Sequence, residues 1–253
     1  MPILDTPGAL IATLIAVILV GLSKGGLGGM SLLGVPIMAM VMSPVTAAAI
    51  LLPVLVVMDV VSVASWRKWV DWRLIALLMP GALAGIGIGW FTAEMVSDAV
   101  VRLIVGVVSA AFVLRVLGQH LMRREVRPRG QRPAQAQFWA GIAGYTSFVA
   151  HAGAPPLQIY MMPLKLDPKL YTGTLVMFFA ITNALKLIPY FALGQFGAEN
   201  LTASALLLPL AVVSTWAGAW AVRRMRADIF YLLTYVSVAL VAVKLIGDGL
   251  AGL

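Results

Sequence analysis

Apolar residues in this chain come in long blocks and do not alternate or recur along one face. Asp, Glu, Lys and Arg are all missing from 25–58, 74–93, 133–164 and 200–222. About 20 mostly apolar residues cross the roughly 30 Å of bilayer hydrocarbon, so these blocks predict membrane-spanning helices. Full spans are expected at roughly 44–65, 72–91, 97–118, 170–193, 200–222 and 228–250. Two further apolar stretches, 8–42 and 138–166, have the wrong shape for one plain helix. Ser23-Lys24-Gly25-Gly26-Leu27-Gly28-Gly29 interrupts the first, and His151-Ala152-Gly153-Ala154-Pro155-Pro156 the second. Glycine clusters and a Pro-Pro pair disfavour continuous helix. The arms, about 13 to 15 residues each, reach roughly 20 Å, short of a span. Each stretch is expected to be a hairpin dipping into the membrane, or two tilted spans around an unwound bend.

Sliding the chain on itself by 124 to 130 residues superposes features in order. Ser23 meets Ser147, Gly29 meets Gly153, Pro44 meets Pro168 and Asp59 meets Asn183; then Pro80 meets Pro209, Gly89 meets Gly218 and Asp98 meets Asp228. An ordered set of matches is the mark of an internal repeat. The chain therefore divides into a first repeat (1–118), a basic, proline-containing linker (119–135) and a second repeat (136–253).

Composition agrees with a lipid solvent: 61% of residues are hydrophobic and 11% charged, against about a quarter charged in soluble domains. The net charge of +8 is explained by basic loops rather than by a nucleic-acid partner, because cytoplasmic loops of membrane proteins collect Lys and Arg. Arg67, Lys68 and Arg73 lie between the first two full spans, Arg123, Arg124, Arg127, Arg129 and Arg132 fill the linker, and Arg223, Arg224 and Arg226 separate the last two. Glu94, Asp98 and Glu199 mark the other connectors. This places the two repeats in opposite orientation, with both termini on the outer side. The fold class expected is an all-α polytopic membrane protein of two inverted-topology repeats, each a broken or re-entrant helical hairpin followed by three transmembrane helices. Inverted repeats build many secondary transporters, with the site near the midplane at the repeat interface.

Ionisable groups at membrane depth cost roughly 2.5–3.5 kcal/mol each on the insertion scale and mark functional sites. The candidates are Lys24, Asp59, His151, Asn183 and Lys186. Unwound backbone is tolerated at that depth where it lines a cavity, and the amides that restart a helix attract anions. Gly28 and Gly29 are such donors in one break, Gly153 and Ala154 in the other. Plainer readings stand beside these: Lys24 as a structural partner of Asp59, Lys186 snorkelling to the surface, and His151 holding a bend together. Gly81, Gly85 and Gly89 recur every four residues as a packing face. Lys244 and Asp248 read as a surface pair, and Trp66, Trp69, Trp72 and Trp90 at span ends as interface anchors. Gly21-Leu22-Ser23-Lys24-Gly25 matches the Gly-x-Ser-x-Gly nucleophile pattern but lacks its strand-to-helix setting. The chain has no cysteine, zinc signature or phosphate-binding loop, so no catalytic residue, metal or cofactor is expected.

Ser23-Lys24-Gly25-Gly26-Leu27-Gly28-Gly29-Met30, followed by Pro36, resembles the TauE/SafE family of sulfite exporters and organosulfonate permeases. His151 to Pro156 looks like the opening of that family's second repeat. The resemblance covers 8–250 and implies transport of sulfite, of sulfonates such as sulfoacetate, or of related small anions across a bacterial inner membrane. Lys24 is matched by Phe148 in the repeat, so the site is not chemically symmetric. The expected anion contacts are Ser23, Lys24, Gly25, Gly28, Gly29, Ser147, His151, Gly153, Ala154, Gln158, Asn183 and Lys186, between the two broken helices. Asp59 and His151 are candidates for coupling to protons. The expected partners are the anion, protons, the bilayer and, in a homodimer, a second copy. A passive anion channel, an intramembrane serine hydrolase using Ser23 and a membrane assembly subunit are the alternative functions.

Overall fold

A computed structural model describes residues 7–27, 37–38, 41, 44–92, 95, 97–121, 130–149, 152–192 and 198–253. Nine α-helices and no strand occur among them. Helix α1 (Pro7–Leu22) runs into a π-wound turn (Ser23–Leu27), followed by α2 (Pro44–Trp66), α3 (Trp72–Thr92) and α4 (Asp98–Leu121). Then come α5 (Pro133–Val149), α6 (Ala154–Met161) with a 3₁₀ turn (Met162–Leu164), α7 (Pro168–Ala192), α8 (Ala198–Arg224) and α9 (Ala227–Ala251). Helices α2, α3, α4, α7, α8 and α9 occupy the six segments expected as spans. Pro44, Pro133 and Pro168 open α2, α5 and α7, where a missing N–H is harmless. Among the described residues, five helical stretches are long and apolar enough to cross a membrane. Four of them, Trp72–Thr92, Ala99–Gly118, Thr202–Arg224 and Ala227–Ala251, are among the six expected spans. The fifth, Pro7–Leu27, was expected to be an arm too short to cross and is lengthened by the turn at Ser23–Leu27.

The helices form two compact units, Met1–Val70 with Leu175–Arg226, and Asp71–Thr174 with Ala227–Leu253. Neither coincides with a sequence repeat, because each combines helices from both. The first unit has a core of Ala16, Val17 and Val20 from α1, Ile50, Leu51, Val54 and Met58 from α2, and Ala203, Leu207 and Ala211 from α8, together with Met38. Gly21 meets Ser214 and Gly25 meets Ala219, while Ser204 bonds Ile50 O and Arg223 lies over Trp66, so α1, α2 and α8 run in the same direction. The contact of α1 with α8 is close enough that a Cβ on Gly21 would overlap the Ser214 side chain, and one on Gly25 the backbone at Thr215 and Ala219. Tails of lipid are as apolar as leucine, so such close van der Waals packing of small residues is what holds membrane helices together.

In the second unit α3 lies along α5, again in parallel. Gly81 faces Gln137, Gly85 faces Gly141 and Tyr145, and Gly89 faces Phe148, as their four-residue spacing predicts. Asp71 ties three segments together at one end: its amide donates to Thr174 Oγ1 (2.9 Å), its Oδ1 accepts from Leu74 N (2.9 Å) and its Oδ2 from Gln131 Nε2 (3.1 Å). The chain leaves this end at Gln131 and has returned to it by Thr174. Helices α5 and α6 are therefore the two arms of a hairpin. Helix α9 closes on α4 through Gly106, opposite Ala242 and Ile246, and Gly249, opposite Leu103.

Candidate functional site

In the first unit α1 loses regular α-winding at Ser23. The π-wound turn Ser23–Leu27 contains Gly26 at φ 129°, ψ −4°, a conformation that side chains disfavour and glycine accepts. The turn exposes carbonyls that α-helical bonding does not satisfy. Helix α2 supplies their donors from one face: Ser62 Oγ donates to Lys24 O (2.9 Å) and Trp66 Nε1 to Gly25 O (2.9 Å). One turn earlier on that face, Asp59 Oδ1 accepts from Lys24 Nζ at 2.5 Å. Its other oxygen, Oδ2, accepts from Asn183 Nδ2 of α7 at 3.0 Å. The pair is mostly buried, with side-chain exposures of 17% for Lys24 and 16% for Asp59. A half-satisfied carbonyl or lone charge at such a place is expensive, and the spacing Asp59, Ser62, Trp66 (i, i+3, i+7) provides one partner for each group.

The second unit holds the other broken segment. Helix α5 ends at Val149, and across the gap Ala152 N donates to Thr146 O (3.0 Å). The Thr146 hydroxyl has one proton to share between Ile142 O (2.8 Å) and Ala152 O (3.1 Å). Gly153 precedes α6 at a point where a Cβ would strike Ala143 O and the Ser147 side chain. The Pro155-Pro156 pair, expected to interrupt the helix, instead forms the first turn of α6, where prolines are favoured. They contribute no N–H, and Leu157 N is directed at Gly153 O. The amides of Gly153 and Ala154 are thus the donors this turn can offer a ligand. Gln158, in the same helix, is buried.

The family model of the sulfite exporter TauE/SafE matches residues 13–245. The chain belongs to this family. It is therefore a membrane transporter of the TauE/SafE class, as the motif at Ser23 implied. No curated protein matches the chain, and no solved structure does.

Of the candidate residues read from sequence, Lys24, Asp59 and Asn183 meet in one cluster, with Ser23 and Gly25 beside them in the turn. Ser147, Gly153, Ala154 and Gln158 lie together in the second hairpin. Gly28, Gly29 and His151 lie outside the described residues, as does the Lys186 side chain, although α7 carries that position. Three residues were missed. Trp66, expected to anchor at the interface, is fully buried and holds the π turn. Ser62 shares that task; both lie on the Asp59 face of α2, but nothing in the sequence marked them as donors to the turn. Lys165 is the third. It adopts a left-handed conformation (φ 50°), with its ammonium 4.5 Å from the Tyr231 ring and 5.3 Å from that of Tyr235. Burial pulls its pKa below the usual lysine value. Lying next to a charge-free run in a short connector, it gave no sign in sequence. Among the described residues no group of His, Asp or Glu is arranged to hold a metal.

Proposed function

We propose that this TauE/SafE chain is a secondary transporter of a small anion, namely sulfite, an organosulfonate such as sulfoacetate, or a related sulfur-containing or carboxylate anion, and that it works by alternating access. The observation that carries the reading is the Lys24–Asp59–Asn183 cluster seated on broken helix. Lys24 is a point charge held by an exchangeable partner. An arriving anion takes the ammonium from Asp59, and the carboxylate left behind accepts a proton, coupling anion to proton movement. Ser23 and Asn183 are further ligand groups in this unit. The Gly153 and Ala154 amides, Ser147 and Gln158 serve in the second unit, with Lys186 and His151 as a supporting charge and a second proton carrier.

The inverted repeat underlies this mechanism. Its support is the offset that pairs Asp59 with Asn183, two equivalent positions that are hydrogen-bonded and so sit close to the axis relating the repeats. The packing recurs as well. Gly21 against Ser214 in one unit corresponds, at offsets of 124 and 129, to Tyr145 against Gly85 in the other, with the small residue moved to the opposite helix. The positive-inside rule puts the loops at Arg67 and Arg223 and the linker in the cytoplasm, with both termini outside, in a bacterial inner membrane. The Asp71–Gln131 bond, which joins the first basic loop to the end of the linker, agrees with that side assignment.

The test is uptake of labelled sulfite into proteoliposomes. Accumulation against its gradient, driven by pH or membrane potential, is expected; dissipation only down the gradient would make the protein a channel. Lys24→Ala abolishes flux and Lys24→Arg impairs it, because a planar fork does not replace a point charge. Unchanged flux in Lys24→Ala removes Lys24 from the site.

A further inference from the structure

The basic end of the first unit is built differently from a merely solvated loop. Arg223 lies 5.6 Å from the Trp66 ring and 5.9 Å from the Trp69 ring. Its Nε donates to Ala219 O at 3.1 Å, which fixes the guanidinium and leaves its terminal N–H groups directed elsewhere. Arg224 stacks on Trp220 at 4.3 Å. Arg67, Lys68 and Arg224 are exposed. Among the described residues, none of Arg67, Lys68, Arg223 and Arg224 is in an ion pair. Asp71, the carboxylate nearest in sequence to Arg67 and Lys68, is committed to Leu74 N and Gln131.

A second feature leads into this cluster. Leu206, Val213, Trp216 and Trp220 of α8 are all exposed and follow one another at helical spacing, so they form a single apolar ridge that ends at Arg224. An apolar ridge capped by fixed, unpaired cations among tryptophans matches an acyl chain and its negative headgroup. Tryptophan favours the headgroup level, and arginine binds phosphate through paired N–H bonds.

The geometry points to a binding site for one anionic phospholipid at this end of α8, with the phosphate held by Arg223, Arg224, Arg67 and Lys68 and an acyl chain lying along the ridge. The ligand class is phosphatidylglycerol or cardiolipin, whose negative charge a zwitterionic lipid lacks. Each basic residue near an anionic surface strengthens binding about fivefold.

The experiment uses the full chain purified in detergent and titrated with phosphatidylglycerol, with phosphatidylcholine as comparison. It reads retained lipid by native mass spectrometry and the rise in melting temperature. Phosphatidylglycerol is expected to be retained and to stabilise where phosphatidylcholine does not. Arg223→Gln with Arg224→Gln weakens retention by roughly 30-fold. Arg67→Gln with Lys68→Gln, on exposed side chains that threaten no packing, weakens it to a similar degree. Arg115→Gln, an exposed arginine of the other unit, leaves it unchanged. Equal retention of both lipids overturns the proposal, as does an equal loss in Arg115→Gln. So does displacement by soluble glycerol phosphate at equal concentration, or a dimer that forms on this face in place of bound lipid. None of these readouts depends on flux.

Discussion

Replacing Lys24 by Met leaves Asp59 with the Asn183 amide alone, and replacing Asp59 by Asn leaves the ammonium stranded beside the π turn. Removing one partner of a buried pair costs about 3–5 kcal/mol. Exposures near one sixth on both side chains, together with the surviving bond to Asn183, put each single change at the low end, about 3 kcal/mol. In a chain of this size 1 kcal/mol shifts Tm by about 2–4 °C, so each variant should melt roughly 6–12 °C lower. Lys24→Met combined with Asp59→Asn removes both charges and strands neither. Its loss should be no greater than that of either single variant, a coupling of about 3 kcal/mol. Thermal melts in detergent with sulfite absent give the stability cycle, and sulfite uptake gives the function. The double variant should lose no more stability than a single one and should show no flux. Additive losses would show that the two charges do not act as a pair, and flux in the double variant would show that the anion does not need the Lys24 charge.

Other changes probe the packing and the topology. Trp66→Phe keeps most of the ring but leaves Gly25 O without a donor, which should cost about 1–3 kcal/mol in a thermal melt and broaden the conformations of the π turn. Gly85→Ala places a methyl group on the Gly141 carbonyl, backbone against backbone, whereas Gly87 has open space beside it. The first should lower Tm sharply, and the second should leave it unchanged or raise stability by up to about 1 kcal/mol. Because the chain has no cysteine, single cysteines at Arg67 and Arg223 can be labelled cleanly. Both should react with an impermeant maleimide from the same side of the membrane, and labelling from opposite sides would refute the inverted orientation.

The spans were legible because charges and prolines punctuate them: Arg73 and Glu94 bracket α3, and Pro168 opens α7. The breaks were legible from glycine, and the Asp59–Asn183 equivalence foreshadowed a contact. Tertiary hydrogen bonding was not legible. Nothing in the apolar run of α2 distinguishes a tryptophan at the lipid interface from one that binds a carbonyl of another helix, since both sit at the end of a span. The Pro155-Pro156 pair was read as a break because proline disrupts a helix interior, yet at a first turn it is favoured. The division into compact units was hidden for a similar reason. Glycine faces announce that a helix will pack closely but not against which partner, and here α1 packs on α8 and α5 on α3, helices far from them in sequence.

That separation of partners has a consequence for biogenesis. Helix α1 is synthesised and delivered to the bilayer first, while the surface that covers Gly21 and Gly25 belongs to α8, which leaves the ribosome near the end of translation. Until then the irregular backbone at Ser23–Leu27 has only α2 to shield it from hydrocarbon, a state that lipid tolerates poorly. Nascent chains halted before Arg224 should therefore stay bound to the insertion machinery or be degraded. Residues 1–135 and 136–253 expressed as separate polypeptides should accumulate only when made together.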